Sequence, residues 1–132
     1  MKTLYLIRGA SGSGKSTLAE LIFNSSSLPG DVTKISADDY FTDELGRYNF
    51  NANNLAAAHK YCQDRCVYEM SHGLPTIIIH NTFTRQWELQ PYRDLAAQYG
   101  YTVFEIICNN KFQNVHNVPA DAVNKQRERF EH

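Results

Sequence analysis

The sequence has no apolar run long enough to span a bilayer. It shows no signal-peptide pattern either, because Met1-Lys2 leads straight into a short apolar stretch. Excess positive charge is also absent: 13 Lys and Arg stand against 14 Asp and Glu, for a formal net charge of −1. A protein that grips long nucleic acid non-specifically carries more bulk positive charge, although a local basic patch is compatible with this balance. Cysteine is scarce and odd in number, at Cys62, Cys66 and Cys108. With no secretory signal, these are expected as reduced, mostly buried thiols in a cytoplasmic protein. The alternative is a metal site from His59, Cys62 and Cys66, which share one helical face. It lacks a fourth ligand nearby and does not have a zinc-finger spacing.

Internal repeats, low-complexity tracts and linkers are missing as well. The 132 residues, 42% hydrophobic and 20% charged, suit a single globular domain over residues 1–132. Strand and helix signals alternate along the chain, the mark of an α/β domain. Residues 3–8 (TLYLIR) read as a buried strand, and residues 15–23 as a helix with Leu18, Leu21 and Ile22 on one side. A loop over 25–30 precedes a short strand at 32–36, and residues 37–50 read as a polar and aromatic loop turning at Gly46. Residues 53–71 read as a helix in which Leu55, His59, Cys62, Cys66 and Met70 recur at spacings of three and four, ending at Gly73. The third strand is expected at 76–79. A mostly helical segment follows at 84–99, with Pro91 as a kink or fresh start and Gly100 as its end. The fourth strand is placed at 101–107, a loop at 109–118, and a charged helix from Pro119 to about residue 130. Four strands separated by helices imply a four-stranded parallel sheet flanked by helices, with ligands at the strands' C-terminal ends.

Gly9-Ala10-Ser11-Gly12-Ser13-Gly14-Lys15-Ser16 fits G-x-x-x-x-G-K-[ST] without a mismatch, between an expected strand and an expected helix. The glycines let the backbone turn its N–H groups inward onto phosphate oxygens, and the helix N-terminus adds partial positive charge. Lys15 is expected on the β- and γ-phosphates, the Ser16 hydroxyl on Mg²⁺, and Thr17 beside the α-phosphate. Guanine specificity would need Asn-Lys-x-Asp late in the chain. Asn110-Lys111-Phe112-Gln113 and Asn124-Lys125-Gln126-Arg127 both lack the aspartate, so ATP is the expected nucleotide.

Ser36-Ala37-Asp38-Asp39 follows the second strand. Phosphoryl transfer to an alcohol needs an acceptor held in line and a base for its proton. Asp38 is the candidate base; Asp39 either caps the following turn or holds Mg²⁺ through water. Residues 43–53 are expected to wall the acceptor pocket, where Arg47, Tyr48 and Phe50 offer a cation and stacking surfaces suited to a nucleoside or nucleic-acid end. Trp87 and Tyr92 are expected to pack, and Lys125, Arg127, Glu128 and Arg129 to form a solvated helix face.

The P-loop, the ISADDYF segment, the stretch IIIHNTFTRQWELQPY and the late NVHNVP segment together resemble the small kinases related to bacteriophage polynucleotide kinase. The resemblance covers nearly the whole chain. Short stand-alone members of that group, many of them phage or bacterial, are commonly described as AAA-type ATP-binding proteins. The resemblance implies a P-loop kinase fold, a lid over ATP-Mg²⁺, and an aspartate at the place of Asp38 that activates a 5′-hydroxyl. Two departures stand out. The third strand ends in His80-Asn81-Thr82, where relatives often carry an aspartate near the metal. Asn81 can still bind a phosphate or a metal-bound water, and His80 is either a supporting group or a hydrogen-bonded residue at a strand end. The segment matching the lid has Lys111 as its firm cation, with Arg85 and Arg127 as substitutes for the family's lid arginines. Two functions follow as expectations. One is a phosphotransferase acting on a polynucleotide 5′-hydroxyl or a nucleoside-like acceptor. The other is an ATP-binding module or weak ATPase that works through a protein partner.

Overall fold

The computed structural model describes residues 2–10, 12–25, 28–108 and 126–131. Its framework is a four-stranded parallel sheet built from β1 (Thr3–Arg8), β2 (Val32–Ile35), β3 (Thr76–Asn81) and β4 (Thr102–Ile107) in the order β2-β3-β1-β4. In this register Arg8 lies beside Asn81 on one side and Ile107 on the other, so the C-terminal ends of the central strands come level. The helices are α1 (Lys15–Asn24), α2 (Ala37–Phe41), α3 (Leu55–Ser71) and α4 (Gln86–Tyr99).

The two-residue period of a strand sorts the core into two layers. Leu4, Leu6, Ile35, Ile77 and Ile79 face α3 and α4, where they pack on Cys62, Cys66, Met70, Leu89, Tyr92 and Ala96. Ile7, Val32 and Ile78 face the other way, onto Ala19 with Leu18, Ile22 and Phe23 of α1. Burial pushes the Cys62 thiol up to about 11 and the Cys66 thiol up to about 12, so both stay protonated at neutral pH. Among the described residues no group of three His, Cys, Asp or Glu side chains is arranged to hold a metal. No described helix is long and apolar enough to cross a membrane.

Several local expectations change. The segment read as a loop from residue 37 opens with α2, a five-residue helix too short to show a helical period. Its sequence signal is Ser36 followed three residues later by Asp39, whose Oδ2 accepts from the Ser36 N–H at 3.2 Å. The third strand runs on through His80 and Asn81. Pro91 lies inside one continuous α4, where its missing N–H costs the helix a single hydrogen bond. Leu21 does not share the face of Leu18 and Ile22: the inward stripe of α1 runs through residues 18, 19, 22 and 23, and Leu21 is 64% exposed. Trp87 does not pack, being 71% exposed on the side of α4 opposite Leu89, Tyr92 and Ala96. In α3 the buried run is Ala58, Cys62, Cys66 and Met70, while Leu55 at its first turn stays partly exposed. The expected loop at 109–118 lies outside the described residues, and of the expected final helix residues 126–128 are described and helical.

Helix α4 stops at Gly100, which holds φ +77 while the Tyr101 N–H donates to the Ala96 carbonyl at 2.8 Å. Nothing crowds a Cβ there, so strain is the only penalty for substitution. Gly100→Ala is therefore expected to lose about 1–2 kcal/mol of stability from the left-handed backbone alone. A urea titration would show this as a lower midpoint with an unchanged slope.

Candidate active site

The loop between β1 and α1 is built as a cradle. Gly12 and Gly14 take φ values of 80° and 96°, which side chains rarely adopt. The Gly9 N–H donates to Thr82 O at 3.2 Å, tying the loop to the end of β3, and the Ser13 N–H donates to Ala10 O at 3.1 Å. A Cβ on Gly9 would lie 2.2 Å from Ser13 Oγ and 2.6 Å from Cys108 O. The Ser13 hydroxyl is buried with no hydrogen-bond partner among the described residues. A tight turn with a buried polar atom facing inward fits a phosphate group. Ser11 lies outside the described residues. Ser16 and Thr17, on the first turn of α1, are exposed and border a shallow depression of about 370 Å³ with Glu20 and Leu21.

Lys15 opens α1 and is half-buried. Burial lowers its ammonium below the ordinary lysine value, against the upward pull of Asp38 and Cys108. Asp38 stands on α2, at the C-terminal end of β2. His80 completes the surroundings of Lys15. Alternation along β3 places it on the α1 face with Ile78, and burial first, then the Lys15 charge, push it down to about 4. It is neutral at pH 7.

Asn81 points to the opposite face. Its Oδ1 accepts from the Ala37 N–H at 2.7 Å and its Nδ2 lies 3.9 Å from Cys62 Sγ, with the residue only 5% exposed. The side chain expected on phosphate or metal-bound water is thus committed to holding the N-terminus of α2, and the alternation of β3 is the reason. Asp39 takes the capping role, its carboxylate on Ser36 N, with burial raising its carboxyl.

The expected acceptor wall is partly rearranged. Arg47 Nε sits 2.8 Å from Asp43 Oδ2, so its charge serves its own turn. Phe50 is 55% exposed beside Phe41, at 5.1 Å between ring centroids. Burial, with the Asp38 charge as the next cause, pushes the Tyr48 phenol up to about 12, so it keeps its proton at neutral pH.

Arg85 lies 3.7 Å from Glu131, and Lys111 lies outside the described residues. The sequence also gave no sign of Arg8, which ends β1 just before the loop and is almost wholly buried. Its Nε and Nη2 donate to Phe83 O at 3.2 and 2.9 Å, Nη2 also donates to Glu131 O, and the guanidinium covers the Phe130 ring at 4.5 Å. Phe83 holds φ 46, a left-handed conformation kept by those bonds to its carbonyl. Arg8 therefore joins the end of β1 to the turn after β3 and to the segment 126–131.

A parallel sheet ordered β2-β3-β1-β4, with a glycine cradle between β1 and α1 and an acid past β2, defines the P-loop kinase fold. The chain belongs to the AAA-domain family, whose model matches residues 4–112. NEDD4-binding protein 2 from Homo sapiens is 33% identical over 137 residues, covering 97% of this chain; the chain spans only 8% of that protein. Among solved structures, a gluconokinase from Sinorhizobium meliloti 1021 superposes with a TM-score of 0.68 at 14% identity, over 98% of this chain and 75% of that one. A chain of the Pnkp1/Rnl/Hen1 RNA repair complex superposes with a TM-score of 0.64 at 17% identity, over 96% of this chain and 37% of that one. Identities this low establish the shared fold, and on the fold the resemblance to small P-loop kinases holds.

His80 links the site to stability. Its folded value of about 4 lies below the ordinary 6.5, so the unfolded chain binds the proton first. Its contribution is complete above 6.5 and fades as the pH falls toward 4. Urea midpoints measured at about pH 7.5 and about pH 4.5 should therefore fall further for the wild type than for His80→Gln. Equal falls would place His80 outside this buried, Lys15-facing position.

Proposed function

We propose that the chain is an ATP-Mg²⁺-dependent phosphotransferase that moves the γ-phosphate to a hydroxyl acceptor. The observation that carries this reading is Asp38 on α2, just past the C-terminal end of β2, with a charge that opposes the burial of the Lys15 ammonium. An ammonium for the transferring phosphate and a carboxylate for the acceptor proton are the two groups such a reaction needs from the protein. The backbone N–H groups of Gly12, Gly14 and Lys15, with the Lys15 ammonium, would bind the phosphates, and the exposed Ser16 hydroxyl would be the loop's ligand to Mg²⁺. That ion supplies charge neutralisation between the β- and γ-phosphates when bound. Asp38 would orient the acceptor hydroxyl and take its proton. Lys111 and Arg85 stay proposals for closing over the phosphates, and Thr17 for the α-phosphate.

The acceptor is proposed as a polynucleotide 5′-hydroxyl or a nucleoside-like alcohol. Phe50 offers an exposed ring near the Asp38 helix, and a fold relative belongs to an RNA repair complex. A second reading, ATP binding or slow hydrolysis acting through a protein partner, is favoured by Asn81. It gives the end of β3 no negative charge and is already committed to Ala37.

The test offers γ-labelled ATP-Mg²⁺ with 5′-hydroxyl DNA, 5′-hydroxyl RNA and a nucleoside panel. Label on an acceptor supports the transferase; label released only as free phosphate supports the second reading. Asp38→Asn should lower transfer by about 10²–10⁴ while ATP affinity stays within about a few-fold. Transfer at the wild-type rate would remove Asp38 from the base role. In a thermal-shift series, ATP-Mg²⁺ should stabilise the wild type and leave folded Lys15→Ala unmoved.

A further inference from the structure

A chain of rings runs from α2 onto the outer face of α3. Phe50 and Phe41 lie 5.1 Å apart between centroids, Phe41 and Tyr40 5.3 Å, and Tyr40 and Tyr61 5.9 Å. Phe41 is buried beneath the others, whereas Phe50 and Tyr40 are exposed and Tyr61 is half-buried. Two turns further along α3, about 10 Å on, Tyr68 is 59% exposed, with His72 braced against its ring at 4.4 Å. Tyr61 and Tyr68 border a groove of about 500 Å³ that Ala57, Lys60, Asp64 and Arg65 also line. These positions recur at spacings of three and four, so they form one face of the helix. Lys60 and Asp64 neutralise each other at 2.9 Å. Arg65 instead donates to two neutral hydroxyls, those of Tyr61 and Thr33, each at 3.2 Å. Among the described residues no carboxylate pairs with it, and Asp39 is near enough only to feel its charge.

A protein partner would find little aliphatic surface here, since Ala57 is the groove's one aliphatic lining residue. Flat rings beside a guanidinium with N–H groups to spare suit stacked bases and the phosphates that link them. Stacking, rather than a grip on many phosphates, also agrees with a net charge of −1. We propose that this face of α2 and α3 is a binding track for a single-stranded polynucleotide. Its bases stack on Phe50, Tyr40, Tyr61 and Tyr68, and Arg65 meets a linking phosphate. The track begins on the helix that carries Asp38, so a strand whose 5′-hydroxyl reaches Asp38 has its next nucleotides beside the rings. For that polarity the inference rests on the transferase reading, and it selects the polynucleotide over the nucleoside as acceptor. No bond is made or broken on the track. It supplies affinity that grows with strand length, a remote binding energy that a single nucleoside lacks.

The test is fluorescence anisotropy on the full chain, with 3′-labelled oligothymidylates of one to about six nucleotides that keep a free 5′-hydroxyl. Affinity should rise about tenfold or more from the shortest strand to the longest. Tyr68→Ala should weaken the longest strand about fivefold to a hundredfold, the range for one stacked base, while Tyr68→Phe keeps the ring and should bind as the wild type does. Arg65→Gln should weaken the longest strand about tenfold or more, by loss of a charge-assisted hydrogen bond. A thermal shift with ATP-Mg²⁺ equal to that of the wild type shows that each variant is folded with its loop intact. Affinity that does not grow with length, wild-type binding by Tyr68→Ala, or an abasic strand of equal length bound as tightly would overturn the track and leave the transferase reading with a nucleoside acceptor. No strand binding at all would overturn it too and leave the face to a protein partner. Strand binding that depends on Tyr68 and Arg65, in a wild type that labels no hydroxyl, would remove the transferase reading and keep the track.

Discussion

The alternation of side chains along β3 is the constraint on which the site depends. His80 and Asn81 are neighbours in sequence and point to opposite faces of the sheet. His80 joins Ile78 on the face of α1 and sits beside Lys15, while Asn81 turns to the face of α3 and receives the Ala37 N–H. One strand end thus shapes the ground around the loop lysine and anchors the helix bearing Asp38. The register completes the arrangement. Arg8 stands level with Asn81, and the Gly9 N–H bonds to Thr82 O, so the cradle and the acid are positioned from the same edge.

Electrostatics then follow from burial. Lys15 and His80 share a partly dry environment that disfavours charge on both, and the histidine gives way, staying neutral while the lysine retains Asp38 as its counter-charge. A neutral histidine beside the lysine adds no competing cation where phosphate charge would gather. Tyr48 is held protonated by burial and by the nearby carboxylate. His80 and Tyr48 are therefore neutral polar groups in the surroundings of Lys15 and Asp38, where electrostatic interactions strengthen as water is excluded.

The cradle was legible because its glycines are demanded by backbone geometry: Gly12 and Gly14 hold left-handed angles, and Gly9 has no space for a Cβ. The parallel sheet was legible because TLYLIR and TIII are apolar enough for burial on both faces. Helix α2 was not, since five residues cannot display a period. Leu21 and Trp87 misled because apolar identity says nothing about helical phase. The Asn81–Ala37 and Arg8–Glu131 contacts join residues 44 and 123 positions apart, and no local pattern encodes such pairings. Tyr48 is brought back against Phe41 of α2 by the turn that Asp43 builds, which the pattern of residues 43–48 showed only as a reversal at Gly46.

The central proposal is that Asp38 and Lys15 serve one site of phosphate transfer, and the electrostatic coupling between them can be tested without knowing the acceptor. Isotope-edited NMR can follow the titration of the Lys15 side chain in the wild type and in Asp38→Asn. Burial lowers the Lys15 ammonium and Asp38 opposes that fall. Removing the carboxylate charge should therefore move the titration to lower pH. An unchanged Lys15 titration in folded Asp38→Asn would mean that the two groups are not coupled, and the account of the site would fail.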